Sequence, residues 1–237
     1  VIMNNCGVGI HASSSGNIAY SKDAKKFFVS CTRGVITRGS IIGNSVTPTG
    51  TVGNEVAVTG GDMFGSSAAA GGSTELATWF DSNGIAYGRL YNPNGAALTG
   101  PIRISTGTLG GYVSLVAFYD TTHNDYNVFY WGSVGRKLYK RTIGPSGALG
   151  TESTVFTDNG VGVSDIAYNP LTGSYFVADQ HQDDNGNGYI KISSSGTASG
   201  SVRVSEDMTL PHYTPAIIAT GNDVPLTIMN QAGDAYA

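Results

Sequence analysis

A unit of about 50 residues repeats along this 237-residue chain, and no other feature restricts its fold as strongly. Each unit opens on a short apolar segment, and three of these are closely alike: Asn17–Ser21, Leu115–Tyr119 and Asp165–Asn169. A second apolar segment follows each of them, and a glycine comes next in every unit. These glycines are Gly34, Gly84, Gly135, Gly188 and Gly233. A period of this length indicates a repeat architecture in which each unit packs on its neighbours.

Each unit contains four short strands separated by turns. The turn before the fourth strand carries the same chemistry in four units, with glycine preceded by proline or serine: Pro48–Gly50, Pro93–Gly95, Pro145–Gly147 and Ser194–Gly196. No segment has a 3.6-residue apolar period long enough for a helix. Four-stranded antiparallel units at this spacing are typical of a β-propeller. A β-sandwich or β-barrel is the alternative, but neither needs glycines in phase across five units.

The predicted fold is therefore all-β, a five-bladed β-propeller of four-stranded antiparallel blades in a single domain over residues 1–237. The predicted blades cover residues 11–60, 61–107, 108–158, 159–207 and 208–237, the last of these together with 1–5. The fifth unit stops within its third strand. We expect Val1–Asn4 to pair there as the missing outer strand, which closes the ring and covers a sheet edge.

Composition excludes several classes of protein. Hydrophobic residues make up 40 % of the chain and aromatic residues 10 %, which is too much for a disordered protein. No apolar run is long enough for a transmembrane helix. We therefore expect no membrane insertion, and because lysine and arginine number only 13 and are scattered, we expect no nucleic-acid partner. We also expect no cofactor. A chain rich in Gly, Ser, Thr, Asn and Tyr suggests a secreted or extracellular protein.

The loops between blades and the loops between the second and third strands of each blade are predicted to share one face of the propeller, here called the upper face. The loops between blades are predicted at residues 5–16, 60–65, 107–112, 158–162 and 207–214. Those within blades are predicted near 32–34, 81–84, 132–135, 179–188 and 230–233. Side chains from several rigid blades converge on such a face. The predicted ligand-binding residues are Asp81, Asn83, Tyr112, His181, Asp184, His212 and Tyr213.

Metal and catalytic motifs are weak in this sequence. Asp183–Gly188 matches the first half of a calcium loop, but Ser194 occupies the twelfth position, where the bidentate glutamate belongs. We favour an ordinary hairpin loop and leave a calcium ion near Asp183 open. No hydrolase motif occurs, so enzyme activity is left open with a non-catalytic role preferred. Trp79 and Trp131 fall in apolar columns of the repeat and are predicted to lie in the core between blades.

Three carboxylates near the predicted central channel keep a hydrolase open, because glycosidases use a pair of such groups. They are Asp62, Asp158 and Asp165. For Asp165 we favour a hydrogen-bonded structural carboxylate.

The repeat period and strand order resemble those of β-propeller repeat proteins, and the blade count and chain length resemble those of small five-bladed lectins. This resemblance implies a carbohydrate-binding protein with a glycan as its ligand; self-association is left open. The alternatives are a glycoside hydrolase acting on a polysaccharide and a non-catalytic protein-interaction scaffold. No binding motif of a particular family matches, so the resemblance assigns no site residue.

The two cysteines are predicted to lie near each other. Cys6 precedes the first blade and Cys31 ends its second predicted strand, beside the predicted 32–34 loop. An even cysteine count in a secreted type of composition favours a disulfide between them. Two buried free thiols are the alternative.

Overall fold

The computed structural model describes residues 17–35, 38–60, 63–110, 113–132, 134, 136–157, 161–169, 171–181, 187–199, 202–203, 212–219, 225–231 and 234–236. All regular structure in these residues is β-strand, arranged in five antiparallel sheets. Within this described part, no helix is long and apolar enough to cross a membrane.

Four sheets have four strands each and are called blades 1 to 4. Blade 1 holds β1 (Asn17–Ser21), β2 (Lys26–Val35), β3 (Arg38–Val46) and β4 (Val56–Ala57). Blade 2 holds β5 (Phe64–Gly71), β6 (Thr74–Phe80), β7 (Ala86–Tyr91) and β8 (Ile102–Arg103). Blade 3 holds β9 (Val113–Asp120), β10 (Asp125–Gly132), β11 (Lys137–Ile143) and β12 (Ser153–Thr157). Blade 4 holds β13 (Val161–Asn169), β14 (Ser174–His181), β15 (Asn187–Ile192) and β16 (Val202–Arg203). The fifth sheet holds β17 (His212–Ala219), β18 (Pro225–Gln231) and β19 (Asp234–Tyr236).

Strands follow chain order within every sheet, and the first strands of successive sheets pack side by side. β1 packs on β5, β5 on β9, β9 on β13 and β13 on β17, whereas no comparable packing joins β17 to β1 in the described residues. This is the architecture of a β-propeller, which confirms the predicted fold type.

The predicted count of five complete blades is wrong for the described residues, because the fifth sheet has three strands and no closed ring forms there. The prediction had added Val1–Asn4 to complete that sheet, and those residues lie outside the described part of the chain.

The turn before each fourth strand has one repeated geometry. Gly50 N donates to Thr47 O at 2.9 Å and Gly95 N to Asn92 O at 2.9 Å. Gly147 and Gly196 do the same in blades 3 and 4, and all four glycines have φ between +85° and +87°. Because side chains other than glycine rarely adopt that φ, the glycine spacing seen in the sequence is a conformational requirement. The predicted turns are confirmed.

The first hairpin of each blade lies on the face opposite the upper face, here called the lower face. Its described residues are 22–25, 72–73, 121–124 and 171–173 in blades 1 to 4. At the end of the first strand, a side-chain oxygen of Ser21, Asp120 or Asn169 accepts a backbone N–H from the hairpin. Such bonds favour turn formation by satisfying a donor of the loop.

Blade 2 differs at this position because it carries Gly71. A Cβ on Gly71 would lie 1.9 Å from the Tyr119 ring of blade 3, so the ring occupies the space of the missing side chain.

Apolar side chains fill the interfaces between blades. Phe28 and Ile41 of blade 1 pack with Ala77, Trp79 and Tyr91 of blade 2. Trp131 packs with Tyr175, Val177 and Ile190 of blade 4. Trp79 is 2 % exposed and Trp131 is 3 % exposed, which confirms that both tryptophans belong to the core.

Blade 1 departs from the predicted strand boundaries. β2 continues through the predicted 32–34 loop to Val35, and Gly34 pairs with Gly39 inside the β2–β3 ladder. Gly39 also exchanges two backbone hydrogen bonds with Met63 ahead of β5, at 2.9 and 3.0 Å. The long hairpin is therefore supported by a contact to the next blade. Cys31 lies inside β2 rather than at its end.

Candidate functional site

The upper face between blades 2 and 3 carries a rigid polar turn over residues 81–85. Asp81 Oδ1 accepts hydrogen bonds from the backbone N–H groups of Asn83 and Ile85, each at 2.9 Å. Gly84 N also donates to Asp81 O at 3.0 Å. Both side-chain bonds end on Oδ1, so Oδ2 keeps its lone pairs for a ligand. The turn exposes the Asn83 side chain.

Two neighbouring loops hold this turn in place. Leu109 N, in the loop ahead of blade 3, donates to Gly84 O at 3.0 Å, and Val134 N donates to Leu109 O at 3.2 Å. Gly84 has φ +71°, and a Cβ there would lie 2.6 Å from Gly110 O. A Cβ on Gly132 would lie 2.8 Å from Leu109 O. The three loops thus form one backbone-packed surface, and glycines at Gly84 and Gly132 permit the close approach.

The other predicted binding residues fall in two places. Tyr112 and Asp184 lie outside the described residues. His181 ends β14, and His212 and Tyr213 begin β17, so these three lie in strands and the predicted loop positions are wrong. β17 packs against β13 and β14, which brings these strand ends to the same side of neighbouring sheets. The structure therefore groups Asp81 with Asn83 at blades 2 and 3, and His181 with His212 and Tyr213 at blade 4 and the fifth sheet.

The predicted channel carboxylate Asp165 joins two sheets. Its Oδ1 accepts from Ile166 N at 2.8 Å and its Oδ2 accepts from Ile217 N in β17 at 3.0 Å. Burial raises the pKa of Asp165, and these two amide bonds oppose the rise. Ser67 makes the corresponding bond from blade 2, where its Oγ accepts from Ala117 N at 3.0 Å. The bonds agree with the structural role favoured for Asp165.

The remaining predicted acids lie outside the described residues: Asp62, Asp158 and the possible calcium ligand Asp183. The described part contains no group of three or more His, Cys, Asp or Glu side chains placed to hold a metal ion. A calcium ion near Asp183 stays a prediction.

A polar cluster between blades 3 and 4, on the lower face, escaped the sequence analysis. Asp120 is 1 % exposed, and its Oδ2 accepts from Tyr175 OH at 3.2 Å and lies 2.8 Å from His123 Nδ1. Burial acts to raise the pKa of Asp120, but bonds from His123 and Thr122 outweigh it and lower the pKa. The same bond to Asp120 raises the pKa of the exposed His123.

Aromatic rings and one lysine complete this lower-face cluster. The Lys140 ammonium lies 4.9 Å from the centroid of the Tyr175 ring, and Tyr175 stacks on Tyr168 at 5.0 Å. Burial lowers the pKa of Lys140, while Asp125 and Asp120 oppose that change. Both oxygens of the Asp120 carboxylate are engaged by partners, so this side chain links blade 3 to blade 4. The sequence signal was the position of Asp120, which matches Ser21 and Asn169.

No protein-family model matches the sequence, and no curated protein matches it. Solved structures match it in fold over most of its length. The BP39L lectin from Burkholderia pseudomallei has a TM-score of 0.65 at 13 % identity, over 94 % of this chain and 69 % of that one. A fungal lectin from Aleuria aurantia, described as a six-bladed β-propeller with a fucose recognition mode, has a TM-score of 0.60 at 13 % identity, over 92 % and 72 %. A putative exo-β-1,3-galactanase from Bifidobacterium bifidum has a TM-score of 0.52 at 10 % identity, over 92 % and 89 %. The chain is thus a β-propeller similar in fold to both lectins and a hydrolase.

Proposed function

We propose that this protein is a carbohydrate-binding protein, a lectin, and that its binding surface is the upper face of the propeller. The observation that carries the proposal is the polar turn at residues 81–85, which hydrogen bonds lock to the next blade. A site whose backbone is already fixed loses little entropy on binding. Asp81 Oδ2 and the exposed Asn83 amide supply an acceptor beside a mixed donor and acceptor. That combination suits adjacent hydroxyl groups of a sugar.

The fold comparisons support this proposal only at the level of architecture, because both lectins are 13 % identical to the chain. We propose further contacts from Tyr112, His181, Asp184, His212 and Tyr213, which sequence analysis placed on the same face. Several weak sites on one rigid body would act together on a multivalent glycan surface. A glycan is the proposed partner, and self-association stays open.

A glycan array followed by calorimetric titration of the best ligand tests the proposal. Asp81→Asn keeps an oxygen for the turn but removes the charge, and Asn83→Ala removes the exposed amide. We expect each to weaken binding by about tenfold, the loss of roughly one good hydrogen bond to a ligand. Asn54→Ala is the matched control, since Asn54 is an exposed amide between β3 and β4. A silent array would move the proposal to a protein-interaction scaffold, and equal losses in all three variants would refute the placement of the site at residues 81–85.

A glycoside hydrolase is the second candidate, supported by the fold similarity to a putative galactanase. The engagement of both Asp165 oxygens by backbone N–H groups weighs against it. Reducing-sugar release from a panel of polysaccharides distinguishes the two functions, because a lectin releases none.

We also propose that residues 1–5 add a fourth strand to the fifth sheet and close a five-bladed ring. The three-stranded fifth sheet supports this, as do the exposed side chains of Ile18 and Tyr20 on β1. Deleting residues 1–5 should then cost several kcal/mol of stability through the loss of one strand's burial. An unchanged melting temperature would contradict the closure.

A Cys6–Cys31 disulfide and secretion form the last part of the proposal. Cys31 is buried in β2, no described cysteine is a free thiol, and Cys6 lies outside the described residues. A disulfide would persist in an extracellular compartment.

A further inference from the structure

Glu75 is a buried carboxyl group without a hydrogen-bond partner. It is the second residue of β6, lies opposite Tyr91 of β7 and Ala70 of β5, and is 0 % exposed. Neither Oε1 nor Oε2 has a hydrogen-bond partner in the structure. Buried polar groups are nearly always hydrogen-bonded, and an ionised carboxylate in this state costs far more than a neutral one. The surroundings therefore favour the protonated form.

Three of the charged or titratable groups around Glu75 are committed to other partners, whereas the buried hydroxyl of Tyr91, the cross-strand neighbour of Glu75, has no hydrogen-bond partner. From β2, Lys26 Nζ donates to Pro93 O at 3.1 Å and to Asn94 Oδ1 at 2.8 Å. From β10, Tyr126 OH bonds with Thr74 Oγ1 at 2.8 Å. From β7, the Arg89 guanidinium lies over the Tyr91 ring and its Nε donates to Thr99 O. β5 contributes only Ala70 at this level.

Burial accordingly raises the pKa of Glu75 to about 7, and attraction to Lys26 offsets only part of the rise.

Glu75 lies at the contact that holds blade 1. Within the described residues, the strands of blade 1 pack on blade 2, through contacts of β1, β2 and β3 with β5. Phe28 stacks on Tyr91 at 5.9 Å in the same interface, and Tyr91 is the cross-strand neighbour of Glu75. A charge on Glu75 would therefore draw water, or the Lys26 ammonium, into the interface on which blade 1 depends.

We propose that the protonation state of Glu75 controls how firmly blade 1 is held to blade 2. The protonated acid leaves the interface closed, and loss of the proton to solvent loosens it. The unfolded chain releases this proton near pH 4.5 and the folded chain near pH 7, so the folded state binds more protons between those values. Stability therefore falls as pH rises from about 4.5 to 7 and levels off above that range. The full shift corresponds to at most a ~300-fold change in the local opening equilibrium.

A direct titration by carbon-13 NMR of the Glu75 side-chain carboxyl in the full chain tests the first step. We expect its midpoint near pH 7. A midpoint near 4.5 for Glu75 would overturn the proposal, whatever the variants do.

Hydrogen exchange at pH 5.5 and 8.5, corrected for intrinsic rates, tests the second step. Between pH 5.5 and pH 8.5, the protection factors of peptides from β2 and β3 should fall at least tenfold more than those of peptides from β14. Glu75→Gln, a neutral side chain of the same shape, should abolish that difference, while Glu55→Gln should keep it. A loss of protection that is uniform over all blades, or that persists in Glu75→Gln, would refute the proposal that Glu75 controls how firmly blade 1 is held. If Glu75→Gln does not fold, the wild-type titration and the regional exchange pattern still decide the question.

Discussion

Replacing Asp120 by asparagine separates its two structural roles. Oδ1 closes the hairpin of blade 3 by accepting from Thr122 N at 2.9 Å, and Oδ2 reaches Tyr175 of blade 4 at 3.2 Å. Blade 4 carries Asn169 at the same position, where the amide oxygen accepts from Leu171 N at 3.0 Å. Asp120→Asn should therefore keep the hairpin and lose the link between blades.

The cost follows from the bonds that are lost. Asp120→Asn replaces Oδ2 by an amide N–H₂, so the buried Tyr175 hydroxyl loses its bond to a charged acceptor, which is worth about 1.5–3 kcal/mol. The amide can donate to the hydroxyl oxygen and recover part of this, and the exposed His123 ring also loses its contact with Oδ2, which adds little. Asp120→Ala also leaves the hairpin N–H of Thr122 without its acceptor, which adds about 1 kcal/mol. We therefore expect about 2 kcal/mol for Asp120→Asn and 3–4 kcal/mol for Asp120→Ala.

Denaturant unfolding of a double-mutant cycle measures the link itself. The cycle pairs Asp120→Asn with Tyr175→Phe, and we expect a coupling of about 1–2 kcal/mol, since either change alone breaks the same bond. Asn169→Ala is the control for the hairpin alone. If Asp120→Asn matched the wild type within about 0.5 kcal/mol, or if the cycle showed no coupling, the link between blades would be refuted.

The same variant should change the pH dependence of stability. The pKa of Asp120 is lowered in the folded state, so its contribution to stability is present above the ordinary aspartate pKa of 3.8 and is lost as pH falls through the folded pKa. The pKa of His123 is raised above 6.5, so its contribution is present below 6.5 and is lost as pH rises through the folded pKa. In Asp120→Asn, the free energy of unfolding should therefore depend less on pH, both in the acid range and where His123 loses its proton.

Three further substitutions test the bonds and turns of the fold, and a thiol titration tests the proposed disulfide. Arg141 donates to Ile104 O of blade 2 at 2.6 Å and to Gly150 O at 2.9 Å, so Arg141→Met should cost about 2 kcal/mol in denaturant unfolding. Gly71→Ala should cost about 1–3 kcal/mol by collision with the Tyr119 ring, and the Gly71→Ala/Tyr119→Ala double variant should lose less than the sum of its single changes. Lys25→Gly should stabilise the protein by up to about 1 kcal/mol, because Lys25 holds φ +51°. Thiol titration of the unfolded, unreduced protein should find no free thiol; two per chain would exclude the Cys6–Cys31 disulfide.

The repeat and its turns could be predicted because their causes are local. The turns at Gly50, Gly95, Gly147 and Gly196 require a positive φ, and glycine is the residue that adopts it without strain. Strand positions follow from alternating apolar segments between such turns. Fold type therefore emerges from signals only a few residues long, repeated in phase.

Strand lengths could not be predicted in the same way. Gly34 is in phase with the turn glycines of other blades, yet it lies within β2 and pairs with Gly39. What extends that hairpin is a backbone contact with Met63, which comes from the next blade. His212 and Tyr213 were likewise assigned to a loop, although β17 begins at His212. Glycine phase indicates where a turn can form and says nothing about how far the paired strands continue.

The polar side chains that join blades escaped prediction for a further reason. Their partners are between 37 and 55 positions away, so each bond depends on the spacing of two folded blades. A partial signal was available, since Arg89 and Arg141 occupy the same strand position in blades 2 and 3. Each donates through Nε to the carbonyl of its own turn region and through Nη1 to the preceding blade.

Five described carboxyl groups differ in how many of their oxygens accept hydrogen bonds from the protein, and this number distinguishes structural carboxylates from a candidate binding residue. Both oxygens of Asp120 and of Asp165 accept hydrogen bonds from other groups of the protein, and these bonds link neighbouring sheets. Glu152 does the same, accepting from Thr106 and from Tyr130 OH. Neither oxygen of Glu75 accepts a hydrogen bond, and the side chain is buried, so the neutral, protonated acid is favoured. Asp81 lies on the upper face, and only its Oδ1 accepts hydrogen bonds from its own turn, which leaves Oδ2 for a ligand. A carboxylate in a propeller with few charges is a candidate for binding when it is both accessible and only half satisfied, and among these five that description fits Asp81.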